Sequence, residues 1–431
     1  MKKLFSIVVS LLLVVCLVVP ASAETTGYVF DDANVLESED IAELNQRLSL
    51  ISSSYNFETY FITGNEQDGK EIKDHLNAAC DTYKLGKDDT TKTIILYLSI
   101  SDDDYMIRTI NQEDKVFTNA GLTYIINKIG EEFSAKNYYA VAWKYANMCD
   151  GFLDYAQREG TPYEEDTLPE YSAFFMPCVG NQIPHKRILP YFIDEADLVG
   201  SYSESELNQK LEKLSKEYQC DIAIVTVDSL GSRTPVEYAD DYFDYNGFGY
   251  DTTQDGVALI IGMENRDWHI TTTGAAIHTF TDYGITYIGD QFVSYLSDGQ
   301  YADGFNEFAD QCASFLSYED STGKVYDTNN KVKTPASLED ILKDIGIALI
   351  IGLIIGLVLV SRLKAQLKSV RFQPDANNYL RPGSMVLTNQ QDLFLYTNVT
   401  KTARQSESSG GGSSTHSSSS GSSHGGGGGH F

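Results

Sequence analysis

Five carboxylates in the second half of the chain, Asp194, Asp197, Asp228, Asp255 and Asp282, are of the type that holds a divalent cation. Calcium takes six to eight oxygens, largely from carboxylates and carbonyls. At a fixed distance of 163 residues upstream, four of the five acids are replaced: Asp197 by Asn34, Asp228 by Asn65, Asp255 by Lys92 and Asp282 by Asn119. Arg266 is likewise matched by Asp103 and Gly274 by Asn111, while Asp194 (Asp31) and the acidic Glu195 (Asp32) persist. Two readings of these acids stand. In one, Asp194, Asp197 and Asp282 form a calcium site with Asp255 or Asp228 nearby. In the other, Asp194 and Asp197 cap a turn or helix, and the rest are solvated loop acids.

Phosphoryl transfer would need more. A metal or a cation must offset the phosphoryl charge, and a further group must attack or position water. Arg266 is the best-placed cation, Asp194 the candidate nucleophile, and Gly274 offers close backbone approach. The chain has no P-loop, no Cys-x5-Arg motif and no histidine cluster here; His269 and His278 are isolated and read as structural or surface residues.

The elements that position these residues follow from a repeat. Glu43-Leu44-Asn45-Gln46 recurs as Glu206-Leu207-Asn208-Gln209, and the same offset pairs Phe117-Thr118 with Phe280-Thr281, Thr123-Tyr124-Ile125 with Thr286-Tyr287-Ile288, and Cys149 with Cys312. One offset over more than a hundred residues implies two copies of one domain, 28–155 and 191–318, joined by a proline-bearing linker, 156–190. In copy two, Ser203-x-x-Glu206 reads as a capping box, followed by Leu207, Leu211, Leu214 and Tyr218 at helical spacing. Copy one has Asp40-x-x-Glu43 at the same place. Strands are expected at Asp221–Val227, Val257–Ile261 and Trp268–Thr273, and helices at Pro235–Tyr245, Tyr283–Leu296 and Ala302–Ser317. Strands alternating with helices imply an α/β fold, two tandem three-layer α/β/α sandwich domains.

Copy two carries, in order, Phe192–Leu198 (FIDEADL), Tyr238–Phe243 (YADDYF), Phe248-Gly249, Asp255–Ile261 (DGVALII), Asn265-Arg266, Thr273-Gly274, Thr281-Asp282 and Tyr301-x-x-Gly304-Phe305. This ordered set resembles the TPM domain, a secreted or membrane-tethered α/β/α module. Copy one matches more loosely and reads as a degenerate unit. The resemblance implies acid phosphatase activity as in some members, calcium binding as in others, or an accessory role beside membrane complexes. The leading expectation is a membrane-anchored extracytoplasmic protein acting as a calcium-binding accessory or interaction module, with a membrane-protein or cell-envelope partner. The alternative is a metal-dependent acid phosphatase working through Asp194 and Arg266.

Charge and topology bound these readings. With 32 Lys and Arg against 61 Asp and Glu, the net charge of −29 excludes nucleic acid as a partner, because phosphate repels an acidic surface. Residues 1–23 read as a signal peptide: Lys2 and Lys3 precede the apolar Leu4–Val19, and Ala21-Ser22-Ala23 ends it. A second apolar run of 16 residues, Ile345–Val360, is expected to cross the lipid bilayer as one helix (345–361). Acids precede the run, and Arg362, Lys364, Lys368 and Arg371 follow it, so the tail is expected in the cytoplasm and the domains outside the cell membrane. The signal contributes +2 and residues 362–431 contribute +4, which leaves −35 between them. That acidity suits divalent cations or basic partners, and equally simple solubility. Of the six cysteines, Cys16 lies in the signal segment; the five expected to remain, Cys80, Cys149, Cys178, Cys220 and Cys312, are odd in number and lack metal-ligand spacing, which excludes a dense disulfide framework. Residues 371–400 read as a small hairpin segment, and the Gly/Ser/His-rich 405–431 as a disordered tail.

Overall fold

The computed structural model describes residues 27–87, 90–112, 116–164, 174–328, 330 and 412–431, with short helical stretches at 348–349, 352–361 and 364. The signal segment 1–23, the hairpin segment 371–400 and parts of the apolar run lie outside the described residues. Among the described residues no helix is long and apolar enough to cross a membrane. The chain forms two compact units. One holds both repeats together with residues 411–431, and the other comprises 332–410.

The first repeat runs β1 (Val29–Asp31), α1 (Ser38–Tyr55), β2 (Glu58–Gly64), α2 (Ile72–Tyr83), β3 (Thr93–Ser99), β4 (Asp104–Ile110), α3 (Asn119–Ser134) and α4 (Tyr138–Glu159). The second runs β5 (Phe192–Asp194), α5 (Ser201–Tyr218), β6 (Asp221–Val227), α6 (Pro235–Tyr245), β7 (Gly256–Gly262), β8 (Asp267–Thr273), the short α7 (Ala276–Thr279), α8 (Asp282–Ser297) and α9 (Tyr301–Thr322). Every strand of the first repeat returns 163 residues later with the same bounds, so the sequence offset is a structural one. In each sheet the first three strands are parallel and the fourth turns back antiparallel.

Alternation along the strands decides what packs where. On one face of the first sheet, Tyr60, Ile62, Ile95 and Tyr97 meet Leu76, Ala79 and Cys80 of α2. On the other, Phe61, Ile94, Leu96 and Leu98 meet apolar residues of α1, α3 and α4. Side chains at i and i+1 of a strand point to opposite faces, so a sheet with helices on both faces needs unbroken apolar strands. Thr-Ile-Ile-Leu-Tyr-Leu-Ser (β3) and Gly-Val-Ala-Leu-Ile-Ile-Gly (β7) are buried at every position. Each fully buried Leu, Ile or Phe contributes about 1.5–3 kcal/mol.

Two local expectations change, and the structure adds one feature. The helix starts lie earlier than the Ser203 and Asp40 boxes imply: Gly200 is the N-cap of α5, and Asp40 already sits inside α1, where its carboxylate accepts from the Glu37 N–H at 3.0 Å. The described part of the linker is packed against both repeats, a point the sequence left open. Phe174 lies against Phe152 of α4, and Phe175 packs on Tyr238 and Tyr242 of α6, so one core runs through both repeats. The described part of the tail, 412–431, is ordered rather than disordered: it forms β9 (His416–Ser417) and β10 (Ser423–His430), and the second sheet becomes β5-β6-β7-β8-β10-β9. Among the described residues there are five cysteines: four are buried, Cys178 is exposed, and none is disulfide-bonded.

Candidate functional site

The fold divides the five sequence-selected acids. Asp194 ends β5 and Asp228 follows β6, at the carboxyl ends of the parallel strands. Asp255 precedes β7, and Asp282 opens α8 after β8 has returned, at the other end of the sheet. A seven-residue strand such as β7 is roughly 20 Å long, so these groups cannot share one ion. Arg266 occupies the β7–β8 turn, on the same side as Asp194 but three strand spacings away, roughly 14 Å. The sheet therefore does not bring the expected nucleophile and cation together.

What these residues do locally is visible in both repeats. The Asp194 carboxylate accepts from the Val199 N–H at 2.8 Å and from Thr226 Oγ1, and Asp31 accepts from Val35, Leu36 and Thr63 in the same way. Asp197 and Asn34 both sit in the left-handed region, at φ 50° and 53°. Asp and Asn tolerate that conformation better than other non-glycine residues, so this exchange preserves a corner. Arg266 and Asp103 share it too, at φ 55° and 52°. Asp255 accepts from the Ala275 N–H at 2.5 Å and holds the turn at Gly274. Asp194 also lines a cleft of about 450 Å³ with Glu195, Glu204, Glu131, Glu132, Lys128 and Lys144. Burial raises the Glu204 carboxyl, and the charges of Asp194, Glu131 and Asp197 add to it. Among the described residues no group of three or more His, Cys, Asp or Glu is placed to hold a metal ion.

A denser polar site lies elsewhere, between α6 and the outer edge of β8. Helix α6 begins with Pro235 behind the Thr234 N-cap, whose capping box with Glu237 fixes the first turn. Its inward side carries Tyr238, Ala239, Tyr242 and Phe243, yet Asp240, Asp241 and Asp244 are also 95% or more buried. Buried carboxylates require partners. Those partners come from the tail. His416 Nε2 lies 2.6 Å from Asp240, and His424 places Nε2 3.1 Å from Asp244 and Nδ1 2.8 Å from Thr271 Oγ1. Thr271 in turn donates to Asp240 at 2.6 Å. Ser418 and Ser420 each donate to Asp244 at 2.6 Å, and Ser419 donates to Asp241 through both its N–H and its hydroxyl. Burial raises the Asp240 carboxyl. Burial acts on Asp244 too, but its bonds to His424, Ser418 and Ser420 outweigh this and hold it below the usual carboxylate range.

Beyond these side-chain anchors the backbone takes over. Residues His424–His430 run antiparallel to β8 in unbroken register, His424 opposite Thr273 and His430 opposite Asp267. The five glycines of β10 are matched to what they cross. A Cβ on Gly426 would strike Ile270 O and come within 2.8 Å of His269 Nε2; one on Gly428 would strike Trp268 O and come within 2.7 Å of His269 Nδ1. Both ends are pinned: Ser414 N–H donates to Asp282 at 2.9 Å, Phe431 N–H donates to Arg266 O at 3.1 Å, and the Arg266 guanidinium lies 4.6 Å over the Phe431 ring. His269 is buried beneath the strand, and that burial, with His416 and His424 nearby, pushes its ring down to about 4.

The first repeat lacks this equipment. Asn77 and Ala78 stand where Asp240 and Asp241 do, Arg108 replaces Thr271 and Met106 replaces His269. Among the described residues, nothing pairs with the outer edge of β4. The α6 acids were present in the sequence as part of a family-like run. The signal that could have singled them out is three carboxylates beyond the first turn of a helix rich in aromatic residues, two of them absent from the copy.

The model of the TPM domain matches residues 29–151 and 192–315. The chain belongs to the TPM domain family. No curated protein matches it. Among solved structures it is similar to the N-terminal domain of a protein from P.gingivalis, at 20% identity over 33% of this chain and 93% of that one, TM-score 0.28. It is also similar to the N-terminal domain of the cg2496 protein from Corynebacterium glutamicum, at 16% identity over 31% and 83%, TM-score 0.25. A third is the BA42 protein from Bizionia argentinensis, at 13% identity over 31% and 90%, TM-score 0.24.

Proposed function

We propose that this tandem TPM protein is an exported, non-catalytic interaction module whose second domain binds an extended glycine-rich strand. One observation carries the reading: seven consecutive residues, His424–His430, pair with β8 while Asp240, Asp241 and Asp244 take up the histidines and serines that precede them. Strand addition of this kind takes its affinity from main-chain hydrogen bonds and its selectivity from side-chain fit. Here the fit selects glycine at alternate positions and hydrogen-bond donors at the acidic end. The first domain, without counterparts of Asp240 and Asp241, is a scaffold that shares its core with the second. Export is supported by the signal-like residues 1–23.

The test is direct. A chain ending at residue 410, shown by circular dichroism to be folded, should bind a synthetic peptide of residues 411–431 with one-to-one stoichiometry. Asp240→Asn combined with Asp244→Asn should weaken that binding at least tenfold. A folded chain that fails to bind the peptide would remove the basis of the proposal.

A further inference from the structure

The docked tail bears on the apolar run that precedes it. Between the end of α9 at Thr322 and the first described tail residue, Gly412, the sequence has one long apolar run, Ile345–Val360. Its 16 residues reach roughly 24 Å as a helix, short of the roughly 30 Å of a bilayer core. After it, residues 362–410 hold no apolar stretch longer than the four residues Leu393–Tyr396, too short for a return crossing. A helix that crosses once puts the chain before it and the chain after it on opposite sides of the membrane. The tail strand and its acidic partners are on the same side, bonded at Asp240, Asp241, Asp244, Asp282 and Arg266. A second copy inserted in the same direction would not help, because its tail would also lie across the membrane from every second domain.

We infer that residues 411–431 and the two domains occupy one compartment, and that the run 345–360 makes no net crossing of the membrane while the tail is docked on its own chain. The inference rests on the strand-docking reading above. It reverses the assignment that the basic flank Arg362–Arg371 suggests. The contacts are energetic as well as geometric: docking supplies Asp240, Asp241 and Asp244 with histidine and serine partners and pairs the outer edge of β8.

The experiment is cysteine accessibility in intact cells producing the full chain, in a Cys178→Ser background that removes the exposed native thiol. Ser201→Cys reports the second domain and Ser408→Cys reports the tail, each probed with a membrane-impermeant maleimide before and after permeabilisation. The inference expects the two positions to label alike, both before permeabilisation or both only after it. Labelling of one before and the other only after would overturn it. Amide hydrogen exchange on the purified full chain separates the two claims. Protection of residues 267–273 that is lost in Gly426→Val keeps the docking reading even if the compartment inference fails. Protection unchanged by Gly426→Val removes the docking reading itself.

Discussion

His269 offers the sharpest test of the packing beneath the tail. Its ring is 4% exposed, lies under Gly426 and Gly428, and faces His416 and His424. Burial lowers its pKa to about 4, against an ordinary value of 6.5. The folded protein therefore keeps the ring neutral at a pH where the unfolded chain binds a proton. Stability present at neutral pH is lost as the pH falls through 6.5, and the loss ends near 4. At about 1.4 kcal/mol per pH unit, that window is worth roughly 3 kcal/mol. The perturbation is His269→Met, which installs the residue found at Met106 in the first repeat. The chain has two tryptophans, so in a Trp143→Phe background Trp268, next to the site, alone reports unfolding. Urea titrations at pH 7 and pH 4.5 should show the parent losing about 2–3 kcal/mol more on acidification than the His269→Met chain. Equal acid losses in the two chains would refute the burial argument, whatever the stability of the variant at pH 7.

Other outcomes follow from the same geometry. Arg47 and Asp150 form a fully buried pair at 2.5 Å that also binds Val179 O and the Cys178 N–H. Arg47→Met leaves Asp150 buried without its cation and should cost about 3–5 kcal/mol, read as a drop in the thermal midpoint of the transition reported by Trp143. Asp31→Ala and Asp194→Ala should each destabilise the chain by about 1–3 kcal/mol, because each removes a carboxylate that accepts one matching loop N–H (Leu36, Val199) and one matching threonine hydroxyl (Thr63, Thr226). A loss confined to one of them would show that the two turns are not equivalent. In a calorimetric calcium titration, any heat altered by Asp194→Ala should be unaffected by Asp282→Ala; a heat abolished by either substitution alone would place both at one ion.

Much of the architecture was legible because its signals are local. Strand β6 and helix α6 have the bounds that periodicity, Pro235 and the flanking turns suggest. The N-caps Gly200 and Glu37 lie three residues before Ser203 and Asp40, which are as favourable inside a first turn as at its cap. The two repeats differ at four of the five candidate acids, yet part of that asymmetry is conformationally neutral. Asp197 and Arg266 hold left-handed corners that Asn34 and Asp103 hold equally well. Asp282 differs from Asn119 for a reason the comparison could not supply: it receives Ser414 of the tail.

The sequence by itself determined that the chain is one fold written twice, because a constant offset and the spacing of apolar residues are properties of neighbouring positions. Only the tertiary structure decided which polar groups meet. Asp194 and Asp282 look like partners along the chain, yet a strand's length separates them. Asp240 and His416 are 176 residues apart and touch. The glycine run has no side-chain periodicity to read, so nothing within it announces a strand; its meaning lies in the closeness of His269 and the β8 backbone, which leave no room for a Cβ.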